Sequence, residues 1–501
     1  MKRLWICIVL AALLPLAGLA ENAPFSDRDL RQTVDMESAV AITLTGDGAQ
    51  CGSDAVTIDG SRITIGAEGV YVLSGTLADG QVVVQAGETD KVQLVLAGAD
   101  IACAGSAAVL SLTADKVFLT LAEGTQNRLV SGGAFAGEDG VDAAVFSRTD
   151  LTMNGAGSLT VESPAGHGVV SKDELTVTGG SYAVTAAAHG LCGKDGVAIA
   201  AGSFAIVSGK DGIHAEHSEN AEKGNLYIAG GSFTVDAQGD ALSASGTLQI
   251  DGGSFALTTG GGSASVMMSS GDMMMGRGGF RDFTQPAAQT DDAVQSSKGI
   301  KAVGTIAIAG GEFALDTADD AVHGGADVRI AGGSWSIRTG DDAIHADGAV
   351  CIEGGELDIP YCYEGVEGTS VAVTGGTLTI TAHDDGLNAA GGADASGSSF
   401  GFGRQDEFAS VAGCEIVISG GSVTIVSSGD CIDSNGSLTV SGGTLDLTCN
   451  GSGNTAIDAN GAFNHTGGEI TTNDGSENGG GMGGRGGMGG KGGSRKGVSR
   501  P

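Results

Sequence analysis

Apolar and polar residues alternate along most of this chain in short runs, and glycine bounds each run. Ile306, Ala307 and Ile308 precede the doublet Gly310, Gly311. Ser334, Trp335, Ser336 and Ile337 follow the doublet Gly332, Gly333. A further short apolar stretch, such as Ala343 and Ile344, comes after an acidic pair. Period-2 alternation bounded by glycine predicts half-buried strands. Helical spacing is absent, and 90 glycines would weaken any helix.

The doublet recurs. Its second glycine stands at Gly180, Gly231, Gly253, Gly311, Gly333, Gly355, Gly376, Gly421, Gly443 and Gly468, with Ala201, Gly202 as a degenerate copy, and many steps are 22 or 21 residues. Such a period marks a repeat architecture in which each unit needs its neighbours to bury its apolar face. Three strands in 22 residues leave no room for a helical crossover. The expected fold is all-β, a right-handed parallel β-helix of roughly 18 coils stacked about 4.8 Å apart. Stacking predicts columns of equivalent residues. Two positions after the doublet lie Tyr182, Phe204, Phe233, Phe255, Phe313, Trp335, Leu357 and Leu378, whose phase points inward, to core rather than to a sugar-stacking platform.

Composition then divides the chain. Residues 1–20 read as a signal peptide: Lys2 and Arg3, an apolar run, and small residues up to Ala20. Residues 21–40 read as a linker, 41–472 as the β-helix, and 473–501 as a disordered tail rich in glycine, methionine and basic residues. Two insertions break the period, near 260–297 and 391–413. They carry Arg277, Phe280, Arg281, Phe283, Phe400, Phe402, Arg404 and Phe408, side chains suited to stacking on sugars or pairing with carboxylates. The eight cysteines after the leader show no metal or disulfide framework. The expectation is an exported protein, secreted or at the cell surface, monomeric, with no membrane insertion after cleavage.

The net charge is −35. The leader contributes +2 and the tail +5, so the body between them carries −42. That makes nucleic acid and anionic membrane poor partners and divalent cations good ones. The acids are not scattered. Nine residues after the doublet the coils place His189, Asp211, Asp240, Asp320, Asp342, Glu364, Asp385 and Asp430, and Lys298 aligns with them. Three residues later stand His214, Ser243, Lys301, His323, His345, Glu367, Asn388 and Asp433, and an extra acid precedes the first row at Asp319, Asp341 and Asp384. Like charges one coil apart repel by on the order of 1 kcal/mol even in bulk water. A hard cation with oxygen ligands would relieve this, so calcium is expected, held by Asp319, Asp320, Asp341, Asp342, Glu364, Glu367, Asp384 and Asp385. Zinc through the histidines is a lesser alternative. His323 and His345 are expected to bond to neighbouring carboxylates. Lys298, Lys301, His323, His345 and Asn388 are candidate ligand-binding residues.

These segments resemble a known family. Lys298, Gly299, Ile300, Lys301, Ala302; Asp341, Asp342, Ala343, Ile344, His345, Ala346; Tyr363, Glu364, Gly365, Val366, Glu367, Gly368; and Asp384, Asp385, Gly386, Leu387, Asn388, Ala389 follow one another as they do in secreted carbohydrate-binding parallel β-helix proteins. The stretches beginning at Tyr71 and His167, and the insertion before Lys298, are similar too. The likeness covers about residues 40–472, departing at Ala321 and Ala343, where glycine is usual. It implies a calcium-binding β-helix shaped like pectate lyases, binding cellulose and acidic pectic chains such as polygalacturonate, without established catalysis.

Three functions follow. One is a non-catalytic binder of acidic or cellulosic polysaccharide, with calcium bridging protein and sugar carboxylates. The second is a calcium-dependent polysaccharide lyase, in which Lys298 or Lys301, with lowered pKa, takes the proton beside the uronate. The third is a structural or adhesive surface protein.

Overall fold

The computed structural model describes residues 24–133, 135, 140–266, 296–390 and 410–479. The leader, the insertion residues Arg277, Phe280, Arg281, Phe283, Phe400, Phe402, Arg404 and Phe408, and the tail beyond 479 lie outside the described residues.

The described residues form 44 strands in one continuous sheet, with two short 3-10 turns and no α-helix. No helix among them is long and apolar enough to cross a membrane. Strands pair in parallel with the equivalent strand of the next coil: Ser203–Ser208 with Ser232–Ala237, and that with Ser254–Thr259. Antiparallel pairing is confined to two hairpins near the start, such as Val56–Asp59 with Arg62–Ile65. The molecule is an all-β, solenoid-like stack, as the period requires.

Each coil buries alternate residues, and the buried positions superpose from coil to coil. Tyr182, Phe204, Phe233, Phe255, Phe313 and Trp335 form one inward column, all nearly inaccessible, with rings stacked 3.7–5.3 Å between centroids. Burying each ring contributes roughly 1.5–3 kcal/mol. The second glycine of the doublet makes the turn before this column. Gly253 has φ 125°, and a Cβ there would lie 3.0 Å from Gly231 O and 3.1 Å from the Phe255 ring. Positive φ and the ring together restrict the position to glycine.

The register of the stack is continuous across both insertions. Leu242 pairs with Ile300 across the first, and Glu367, Asn388 and Asp433 stay in one file across the second. The ends differ from a linker and a tail. Residues 26–32 lie along the outside of the early coils. The buried Asp29 accepts from Lys116 Nζ at 2.7 Å and Thr152 Oγ1 at 2.5 Å, and its carbonyl accepts from Thr178 Oγ1 at 2.6 Å. Gln32 bonds Gly155 N and Thr178 O, both at 2.8 Å, and Arg28 lies over Phe118 at 4.9 Å. This strap covers a buried polar row, Gln93, Thr120 and Asn154, linked side chain to side chain. At the other end the fold continues past 472: Asp474 and Ser476 accept the Ala456 and Ile457 amides and close the last coil.

Candidate functional site

The acidic edge is two adjacent columns of the solenoid. In the first, His167, His189, Asp211, Asp240, Lys298, Asp320, Asp342, Glu364, Asp385, Asp430 and Thr455 stack one per coil. The amide following each, from Gly168 to Cys431, donates to the carbonyl of the next member. The side chains have a local duty that spacing alone did not reveal. Asp211 Oδ1 accepts the Asp240 amide at 2.9 Å, Asp240 Oδ1 that of Lys298 at 2.8 Å, Asp320 Oδ1 that of Asp342 at 3.1 Å, and Asp385 Oδ1 that of Asp430 at 2.6 Å. A short carboxylate at this corner satisfies a backbone N–H that the turn leaves without a strand partner. Upstream, imidazoles do the same: His167 Nδ1 accepts the His189 amide at 3.2 Å, and His189 Nδ1 accepts the Asp211 amide at 3.1 Å. Lys298 has no acceptor to offer, and there Asp319 caps the Asp320 amide instead, at 2.9 Å.

The second column faces outward. Cα register runs Cys192, His214, Ser243, Lys301, His323, His345, Glu367, Asn388, Asp433 and Asp458. Together the columns fall into two electrostatic halves. In the first half, cations of the chain pair with the acids, though burial, with Asp320, Asp341 and Glu367, still holds Asp342 well above the usual carboxylate range. Lys298 Nζ lies 2.8 Å from Asp319 and 2.6 Å from Asp320, and Lys301 Nζ lies 3.2 Å from Asp240. His323 Nδ1 lies 2.8 Å from Asp320, and His345 Nδ1 lies 2.9 Å from Glu367 and 3.2 Å from Asp342. Burial alone would raise the Asp320 pKa, but His323 and Lys298 hold it down at about 2. Burial would likewise discharge His345, but Asp342 and Glu367 lift it to about 11.

The second half has no such relief. Burial first, then Asp342 and Glu367, pushes Glu364 up to about 9. Burial with Asp384 and Asp433 pushes Asp385 up to about 8, and burial with Asp430 and Asp458 pushes Asp433 up to about 7. Asp430 and Asp458 are raised as well, burial first. Among the described residues no Lys, Arg or His forms an ion pair with any of these five. Asn388 sits in their midst, 7% exposed, donating to Glu364 at 2.8 Å while its Oδ1 finds no hydrogen-bond partner.

The expected metal ligands are therefore brought into one edge but not into one environment. Asp319, Asp320 and Asp341 offer oxygens within 4.8 Å of one another, as do the ligand atoms of Asp342, His345 and Glu367. Lys298 already lies between the first group's acids and His345 between the second's. Asp384 accepts the Tyr363 hydroxyl. Glu364 and Asp385 belong to the half without cations, alongside Asp430, Asp433 and Asp458. The spacing aligned Asp430 and Asp433 with the ladder without assigning them a role. Asp458 escaped notice because Thr455 replaces the first acid of its coil. A third group, His189, Asp211 and His214, was likewise aligned with the rows by spacing without being assigned a role.

One expectation is corrected. Lys298 was to be a base of lowered pKa, but Asp320 and Asp319 outweigh its burial and shift it upward. It is a buried counter-ion. Lys301 is likewise engaged, by Asp240 and by Ser296 Oγ at 3.1 Å.

On another face, the strands Ser254–Thr259, Glu312–Thr317, Ser334–Thr339 and Glu356–Cys362 form a shallow groove of about 470 Å³, floored by Ala256, Ala314 and Ser336 and edged by Glu312 and Glu356. Its aromatic residues point inward and offer no stacking surface.

An elongated all-β stack with polar columns along its edge is the class of repeat protein that presents a long face to a partner. The family is shown by sequence: the chain matches the model of the carbohydrate-binding domain-containing proteins over residues 59–343 and 341–479, and it belongs to that family. A curated relative, a carbohydrate-binding domain-containing protein of Acetivibrio thermocellus, is 34% identical over 137 residues, 26% of this chain and 48% of the relative. The chain thus spans about half the length of that relative. Among solved structures, the polysaccharide lyase-like protein from C. thermocellum, in a gadolinium derivative, is 32% identical, with a TM-score of 0.44, over 44% of this chain and 92% of that one.

Proposed function

We propose that this protein is an exported, monomeric, non-catalytic polysaccharide-binding right-handed β-helix, which takes acidic pectic or cellulosic chains and uses calcium at the C-terminal half of its acidic edge. Family membership supports the carbohydrate ligand. The observation that supports the calcium reading is the run Glu364, Asp385, Asp430 and Asp433, half-buried together with pKa values pushed up and, among the described residues, without a cation of the chain. The donor set is all oxygen, and Asn388 Oδ1 adds an uncommitted buried carbonyl, which fits a hard divalent ion. Neighbouring members of the row Glu364, Asp385, Asn388, Asp430 and Asp433 would hold it, one coil to the next. When bound, the ion would neutralise the row and bridge it to a sugar carboxylate. The chain's own part is to stack these oxygens rigidly at the strand spacing.

The ion pairs of Lys298 with Asp319 and Asp320, and of Lys301 with Asp240, speak against either lysine as the base of the lyase reading. The test is retention on immobilised polygalacturonate with calcium and with chelator, while following unsaturated-uronate absorbance. Calcium-dependent retention without new absorbance supports the proposal. Turnover, or equal retention with and without chelator, contradicts it.

A further inference from the structure

We propose a second polysaccharide contact that needs no calcium: the exposed Lys172 and Lys194, in file below Arg148, reading carboxylates of an acidic chain laid along the solenoid axis. The ligand class rests on the carbohydrate-binding reading above. The site itself is elsewhere and of opposite charge.

Ser147, Ser171 and Gly193 are Cα partners in consecutive coils, so the residue after each begins the same turn. The Lys172 amide donates to Ser147 O at 2.8 Å and the Lys194 amide to Ser171 O at 3.0 Å. Arg148, Lys172 and Lys194 therefore stand in file at the strand spacing, and all three are exposed. Stacking like charges is as unfavourable here as in the acidic columns. In a body of −42, such a file ought to be neutralised by its surroundings.

For the two lysines it is not. Each is followed by an acid, Asp173 or Asp195, yet these acids turn elsewhere. Asp195 pairs with Lys223 and with His217 at 3.4 Å, and Asp173 and Asp195 hydrogen-bond each other. Lys91, Lys116, Lys223, Lys298 and Lys301 all pair with carboxylates. Lys172 and Lys194 form no ion pair among the described residues, and Lys172 lies over the Phe146 ring at 5.3 Å. The next coil ends the file with Glu216, which is held by His214 at 2.9 Å. The result is a bounded cationic strip parallel to the axis.

The strip's chemistry selects an anion with a repeat. Ammonium groups bind carboxylates through charge-assisted hydrogen bonds. Successive positions are about 4.8 Å apart, and an extended 1,4-linked pyranose chain advances by a similar distance per sugar. One uronate carboxylate then meets each coil. A nucleic acid duplex would spread its charge over the acidic flanks and be repelled.

The experiment is calorimetric titration of a galacturonate oligosaccharide into the full chain in chelator at low ionic strength. Wild type is expected to bind, more weakly as salt rises. Lys172→Gln with Lys194→Gln should weaken binding by about tenfold, the sum expected of two exposed charge contacts. Lys91→Gln, an exposed lysine outside the strip, should leave it unchanged. The lysines are exposed, so melting should not move. Unchanged affinity in the double variant, no chelator-resistant uronate binding by wild type, or equal binding of a DNA duplex would each overturn the strip. If the strip is overturned in one of these ways while wild type still shows calcium-dependent retention on polygalacturonate, only the strip has failed. If no polysaccharide binds under any condition, the broader reading has failed.

Discussion

The ammonium of Lys298 lies 2.6 Å from Asp320 Oδ2, one coil against the next, and joins the acidic edge to a cation of the chain itself. On its side the carboxylates are paired. Beyond His345 they meet no cation among the described residues. The contact is buried, so Lys298→Met leaves Asp319 without its cation and Asp320 with His323 alone. Removing one partner of such a pair is expected to cost about 3–5 kcal/mol. Thermal unfolding in chelator should show the loss, and calcium should restore part of it. A variant as stable as wild type would mean that Lys298 does not neutralise the row.

The second half predicts an unusual pH dependence. Glu364, Asp385 and Asp433 have folded pKa values of about 9, 8 and 7, above unfolded carboxylate values of about 4. Raised folded values mean that the unfolded state releases protons first. Their contribution is full below the unfolded pKa and is lost as pH rises through the folded ones. In chelator, stability should therefore fall between about pH 5 and 9, by at most about 1.4 kcal/mol per pH unit for each such carboxyl. His345, raised to about 11 from an unfolded value of about 6.5, adds to the fall from about pH 6.5 upward, and Asp320 matters only in acid. Saturating calcium should flatten the slope. A melting temperature that climbs over this range in chelator would contradict the assignment.

Removing charge from the same half should stabilise. Asp385→Asn with Asp433→Asn relieves repulsion on the order of 1 kcal/mol for each neighbouring pair. At pH 9 in chelator the double variant should melt above wild type, and it should lose most of the calcium-induced gain. A full calcium response in this variant would move the ion elsewhere.

The strap offers a separate test. Asp29 is buried against Lys116 and Thr152, and burial is outweighed by these partners, which hold its pKa below the usual range. Asp29→Ala strands Lys116 and uncovers Gln93, Thr120 and Asn154. Loss of about 3–5 kcal/mol is expected, with faster amide exchange in the early coils and none in the later ones. Uniform exchange throughout would show that the strap is not a local clamp.

Period and phase were legible in the chain by itself. The glycine doublets announced the coil, the alternation announced strands, and Tyr182 to Trp335 were assignable to the core because inward residues must recur at a fixed offset. The rows of the acidic edge were legible for the same reason: in a stack, equal sequence offset is spatial adjacency. What each member of a row does was decided in three dimensions. Whether Asp320 is a free ligand or the partner of Lys298 depends on which side chain of the next coil reaches it. Whether Glu364 is strained depends on burial that no spacing reports. The amide-capping duty of Asp211 and Asp385, the docking of Asp29 across the early coils, and the turning away of Asp173 and Asp195 from Lys172 and Lys194 all rest on side-chain direction. A repeat specifies where side chains emerge. Only packing, burial and competition for hydrogen bonds settle which neighbour each one meets.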